Sequence, residues 1–181
     1  MLLDLAASIL ALNRIQISSR NDRARRMKKQ RIYLDTSVIG GCHDPEFATW
    51  SLGLIEDFRM ARHAAVVSTI VATEVASAPE AVRSVYWELI DLGAEVLEVN
   101  EAAIDLAEQY LKHRVLTRKY FADCLHIAVA TVAAVDLLVS WNFRHVVRFD
   151  KIRVFNAVNL EHGYRSLEIY SPREVTTHEE S

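Results

Sequence analysis

The sequence predicts an α/β fold: a mostly parallel central sheet between two layers of helices, preceded by a helical N-terminal extension. Three observations carry this. Short apolar runs of strand length alternate with longer stretches whose apolar residues recur every three or four positions. Only five Gly and three Pro occur in 181 residues, too few for a turn-rich all-β chain. The first apolar run, Ile32-Tyr33-Leu34, stops at Asp35, and a carboxylate at a strand's C-terminal end marks the edge where open α/β sheets bind ligands.

The elements follow in order. Residues 1–30 form an appendage. Leu2, Leu5, Ile9 and Leu12 share one helical face, and the polar, basic stretch from Ser18 to Gln30 fits a linker, a helix continuation or a disordered arm. The first strand covers 32–35. Gly40-Gly41 and Pro45 place a loop at 40–48, and Trp50, Leu54 and Phe58 predict a helix over 49–62. A second strand spans 64–67 and a helix 69–78, with Thr69 as its cap. Pro79 suits the first turn of a helix over 79–92 that Gly93 ends. A third strand lies in 94–99. Ile104, Ala107, Leu111 and Val115 mark an amphipathic helix over 101–116, and 120–134 is a helix apolar nearly all round. Leu137-Leu138-Val139 forms the fourth strand. Residues 142–147 read as a turn or short helix, and 151–163 as a helix. A final strand at 167–170 is stopped by Pro172. The resulting division is an extension (1–30), one domain (31–173) and a polar tail (174–181). Trp50, Trp87 and Trp141 are read as core residues, and Cys124 as a buried small apolar one.

Charge is unevenly placed. Residues 1–31 hold eight Lys and Arg against two Asp, a surplus of +6 that leaves −9 on the other 150 residues of a chain with net charge −3. A basic arm on an acidic body suits an anionic partner, and a metal-dependent site within an acidic body supplies its own positive charge. Two widely spaced cysteines make neither a disulfide framework nor a zinc site, which points to a reducing, cytoplasmic setting. No apolar run approaches the ~18 residues of a membrane span. The apolar start precedes its basic residues, the reverse of a secretory signal.

Three acids sit where acids are expensive. Asp35 ends a buried strand, Glu74 is the only charge in Thr69–Ala76, and Asp123 is the only acid in Tyr120–Ala130. In a parallel sheet all three can converge on one edge. Three carboxylates there repel one another unless a hard divalent cation, Mg²⁺ or Mn²⁺, lies between them. Residue by residue, blander roles remain open: helix caps for Asp35 and Asp123, an exposed face for Glu74. Thr36 and Ser37 are read as orienting Asp35, and His126 as a core or supporting histidine rather than a ligand.

Asp35 in Tyr-Leu-Asp-Thr-Ser-Val, Glu74 in Ala-Thr-Glu-Val and Asp123 in Ala-Asp-Cys-Leu-His-Ile-Ala-Val-Ala resemble the three acidic motifs of PIN domains, with spacings of 39 and 49 residues. The resemblance covers roughly 31–173 and implies a metal-dependent endoribonuclease favouring single strands. It implies Mg²⁺ or Mn²⁺ on Asp35, Glu74 and Asp123, and a product with a 5′-phosphate. It also implies a VapC-like toxin of a type II toxin–antitoxin pair, with RNA as substrate, a cognate antitoxin as partner and a homodimer as the assembly. One departure is visible: a fourth acid usually follows the fourth strand, and here Asn142 stands in its place, with Ser140 able to assist by hydrogen bonding. Arg144 and His145 are phosphate-contact candidates, with a solvated surface role as the simpler reading. Two other functions compete. An aspartyl-phosphate phosphatase needs a second acid two residues after the first, and Ser37 occupies that position. A catalytically weak or inactive PIN-like module binding RNA or protein stays open because of Asn142.

Overall fold

A computed structural model describes residues 29–176, so the helix expected within 1–30 lies outside the described residues. Five strands form one sheet in the order β3-β2-β1-β4-β5. They are β1 (Arg31–Leu34), β2 (Ala64–Ser68), β3 (Glu95–Leu97), β4 (Leu137–Val139) and β5 (Glu168–Tyr170). Every pairing is parallel, and Tyr33 lies in register with Val66 on one side and Leu138 on the other. Strands covered on both faces read as unbroken apolar runs, and Ile32, Tyr33, Leu34, Val66, Val67, Leu138 and Val139 are all fully buried. Helices cover both faces of the sheet, the expected α/β/α arrangement.

The helices are α1 (Thr36–Gly41), α2 (Ala48–Arg59), α3 (Thr69–Ala76), α4 (Glu80–Asp91), α5 (Glu101–Lys112), α6 (Phe121–Val132), α7 (Phe149–Glu161) and α8 (Pro172–Val175). Several depart from the sequence expectation. Helix α1 starts directly after Asp35, and Gly40-Gly41 close it rather than open a loop. The cap of α3 is Ser68, whose Oγ accepts from the Val71 amide, not Thr69. Helix α5 ends short of 116 because Arg114 takes a left-handed conformation (φ 56°) that no regular helix continues. Pro172 begins α8 instead of merely ending β5. Ser171 and Glu174 form a reciprocal capping box there, and Pro suits a first helical turn because it has no N–H to satisfy. Trp87 is 60% exposed and Trp50 and Trp141 are half-buried, so none of the three is a core residue. Cys124 is fully buried, as expected.

Order β3-β2-β1-β4-β5 places β1 at the switch point. The chain moves to one side of β1 for β2 and β3, then to the other for β4 and β5. The crevice outside the C-terminal ends of β1 and β4 is where such a sheet binds its ligand. No helix among the described residues is long and apolar enough to cross a membrane.

Candidate metal centre and active site

Asp35 occupies the N-cap position of α1, yet its side chain makes no capping bond. Its Oδ2 instead accepts from Ser37 Oγ at 2.7 Å and Ser140 Oγ at 2.5 Å. Those hydroxyls in turn accept from the backbone amides of Trp141 (3.0 Å) and Asn142 (2.9 Å). The turn after β4 is thus tied to the acid at the end of β1 through two serines. A hydroxyl that accepts a bond while donating to a carboxylate is a polarised, firmly oriented donor. Ser140 therefore holds Asp35, the supporting role expected of it.

Glu74, on α3, accepts a hydrogen bond from Thr36 Oγ1 and lies 3.3 Å from His126 Nε2 through the same Oε2. The same imidazole nitrogen is 3.7 Å from Asp35 Oδ1. On its other side, His126 Nδ1 sits 2.8 Å from Tyr33 Oη, which is 2.7 Å from Ser68 Oγ. A histidine buried like this should resist protonation. The hydrogen bond to Glu74 and the charges of Asp35, Glu74 and Asp123 outweigh that burial and hold its pKa above the ordinary value. Correspondingly, the His126 bond, against burial and helped by Thr36, holds the Glu74 carboxyl below its usual range. The imidazole stands where two carboxylates call for positive charge.

Asp123 belongs to the first turn of α6, a helix that starts at the ligand edge of the sheet. Its Oδ1 accepts from Asn142 Nδ2 at 3.2 Å, and its Oδ2 is 2.9 Å from His145 Nδ1. Burial raises its pKa, His145 opposes this, and the nearby Asp35 charge adds to it. Asn142 also caps the turn, its Oδ1 accepting from the His145 amide at 3.0 Å. His145 lies against Tyr120, ring centroids 3.8 Å apart, so it is half-buried rather than a free surface residue. Arg144 is exposed.

All four residues proposed from the sequence line one cavity of about 470 Å³. Within it they fall into two groups. Asp35, Glu74 and His126 each offer a ligand atom within 4.8 Å of the others. Asp123 stands outside that trio, bracketed by Asn142 and His145. Among the described residues, the partners of these acids are hydroxyls, an amide and imidazoles; no Lys or Arg neutralises them. An oxygen-rich donor set whose charge has no fixed cation fits a hard divalent ion. His126 and His145 had weak signals in the sequence. Each lies three residues after a site residue, Asp123 and Asn142, hence on the same side of a helical turn.

A family model described as the PIN domain matches residues 32–152, two thirds of the chain. The chain belongs to the PIN-domain family. Asp35, Glu74, Asp123 and Asn142 all fall inside the matched stretch. PIN-like folds among solved structures agree. VapBC2 from Rickettsia felis, bound to a DNA fragment from its promoter, is similar at TM-score 0.50 and 13% identity, covering 78% of this chain and 98% of that one. FitAcB from Neisseria gonorrhoeae is similar at 0.50 and 16%, covering 80% and 99%. FitAB bound to an IR36 DNA fragment is similar at 0.52 and 16%, covering 82% and 99%. Identities this low bear on the PIN fold alone. The search of curated proteins returned no match.

Proposed function

We propose that this PIN domain is a Mg²⁺- or Mn²⁺-dependent endoribonuclease hydrolysing single-stranded RNA. The observation that supports this most is the un-neutralised acid cavity at the switch point, lined by Asp35, Glu74 and Asp123. In this reading Asp35, Glu74 and Asp123 hold the ion, with His126 as a further donor in reach of the first two. A divalent ion held there supplies Lewis acidity toward phosphoryl oxygens and lowers the pKa of water. The chain's own residues do the positioning. Ser37 and Ser140 occupy Asp35 Oδ2 and leave Oδ1 turned toward His126 and the cavity. Thr36 fixes Glu74, and Asn142 and His145 fix Asp123.

The same reading assigns residues 31–173 to the nuclease domain and 1–30 to an extension. It makes the protein the cytoplasmic, homodimeric toxin of a VapBC-like pair, whose antitoxin blocks the acid crevice with an Arg. The solved relatives named VapBC2 and FitAB support the pairing. The test is calorimetric: the full chain binds Mn²⁺, and Asp123→Asn weakens binding at least several-fold. Equal binding by both proteins removes Asp123 from the ion site.

Asn142 favours a second reading, a PIN module that binds RNA without cutting it. Metal-dependent RNA cleavage by the purified protein, abolished in Asp35→Asn, separates the two, and Asn142→Asp tests whether position 142 belongs to the ion site. The new carboxylate would face Asp123 across the present 3.2 Å amide contact. Like charges that close are worth on the order of 1–4 kcal/mol at a wet protein site, unless a dication lies between them. The variant is therefore expected to melt lower than wild type in EDTA and to gain more stability on Mn²⁺ addition, with several-fold tighter binding. Identical Mn²⁺ titrations and melts would mean that position 142 only caps its turn, where Asp serves as well as Asn.

A further inference from the structure

Beside the acid crevice lies a second cavity of about 580 Å³, and Phe47 and Trp141 line both. Trp50, Phe143 and Arg173 form much of the rest. Phe47 stacks on Trp141 with centroids 4.5 Å apart and planes 25° from parallel. Phe143 lies 5.9 Å from Trp141, tilted by 58°. The Arg173 guanidinium sits 5.7 Å from the Trp50 ring. Phe143 is 51% exposed, so core packing does not explain it.

This wall is rigid and aimed. Trp141 is held by Nε1 donating to Ser51 Oγ at 2.8 Å and by its amide donating to Ser37, the same hydroxyl that orients Asp35. Trp141, Asn142 and Phe143 are consecutive, so the aromatic wall and the acid crevice are built from one turn. Arg173 has no carboxylate partner among the described residues, and Glu174 spends its carboxylate on the Ser171 cap. What remains available is a set of ring faces and one cation, with the exposed Glu46 carboxylate elsewhere on the lining. Unpaired bases stack on such faces regardless of sequence, and a guanidinium suits the phosphate beside them.

We propose that this pocket takes an unpaired nucleobase of single-stranded RNA adjacent to the scissile phosphate, with Phe143 and Trp141 as the stacking wall and Arg173 facing the backbone. The proposal rests on the ribonuclease reading above. An apolar side chain of a partner protein is the rival occupant. It fits less well, because covering Arg173 with apolar atoms would bury an unpaired charge.

The experiment measures fluorescence anisotropy of a labelled single-stranded oligoribonucleotide. The titrant is the full chain carrying Asp35→Asn to stop turnover, in Mn²⁺ buffer. Phe143→Ala in that background is expected to bind roughly 5- to 100-fold more weakly, the range of one lost stacking platform. Phe143→Tyr, which keeps a ring face, is expected to bind like the parent. An abasic oligonucleotide should bind the parent as poorly as the normal one binds Phe143→Ala. Equal affinities for Phe143→Ala and parent, equal affinities for intact and abasic strands, or no RNA binding at all overturn the proposal and leave the aromatic wall to a protein partner. The nuclease reading fails separately. Wild type that binds base-dependently but never cleaves sinks that reading and keeps the pocket. Metal-dependent cleavage with unchanged Phe143→Ala affinity keeps the nuclease and sinks the pocket.

Discussion

Asp35→Asn is expected to lower metal-dependent RNA cleavage by at least about 100-fold while leaving the protein folded, the scale seen when one charge-stabilising group leaves an active site. Asp35 is only 7% exposed and sits at the end of the central strand. Asn has the same shape, and its carbonyl oxygen still accepts from Ser37 and Ser140. What disappears is the charge. In the absence of metal that charge is held near Glu74 and Asp123, with the His126 imidazole nitrogen 3.7 Å away. Removing it should leave the melting temperature unchanged or higher, so lost cleavage cannot be assigned to unfolding. Cleavage of a single-stranded RNA across a Mn²⁺ series, with a thermal melt of both proteins, checks this. A variant that cuts like wild type would place the chemistry elsewhere.

Gly41→Ala is expected to destabilise the fold by about 1–3 kcal/mol, the usual cost of forcing an extra methyl into a packed contact. A Cβ at this position would meet Ser51 Oγ at 2.6 Å and Trp141 Nε1 at 2.8 Å. Neither neighbour yields easily. Ser51 is fully buried on α2, and the Trp141 ring is bonded to Ser51 and stacked on Phe47. Relief requires α1 and α2 to part or Trp141 to leave Ser51, which also disturbs the turn carrying Asn142. The melting temperature should fall by roughly 2–4 °C for each kcal/mol in a chain of this size. Gly40→Ala is the control, because nothing lies within 4 Å of a Cβ there and Ala favours a helix over Gly. Equal melting temperatures for the two variants would show that Gly41 is not the packing point between α1 and α2.

Parts of this protein were legible because their signals are local. Ile32, Tyr33 and Leu34 in β1 and Leu137, Leu138 and Val139 in β4 are uninterrupted apolar runs, the mark of strands buried on both faces of a parallel sheet. The acids were legible as misfits, single charges in apolar surroundings. Helix α1 was hidden because two consecutive glycines are the strongest local signal for a loop. Gly41 is there for a different reason, the close approach of Ser51 and Trp141 from residues 10 and 100 positions away. Trp87 looked like core because it is large and apolar, but nothing local tells which way α4 turns its faces.

By itself, then, the sequence determined the α/β alternation, the acid at the end of the first strand, and the set of polar residues available to a site. Both helical and strand periodicity are properties of neighbouring residues, so they are written in the chain. Only the tertiary structure decided which of those polar residues meet. It set His126 between Asp35 and Glu74, and it bracketed Asp123 with Asn142 and His145. It joined Ser37 to Ser140 on one oxygen of Asp35 across 103 residues of sequence. It also laid Phe47 on Trp141 beside them. These pairings depend on strand order and on the rotation of each helix about its axis, which the packing of the whole core sets and no local pattern encodes.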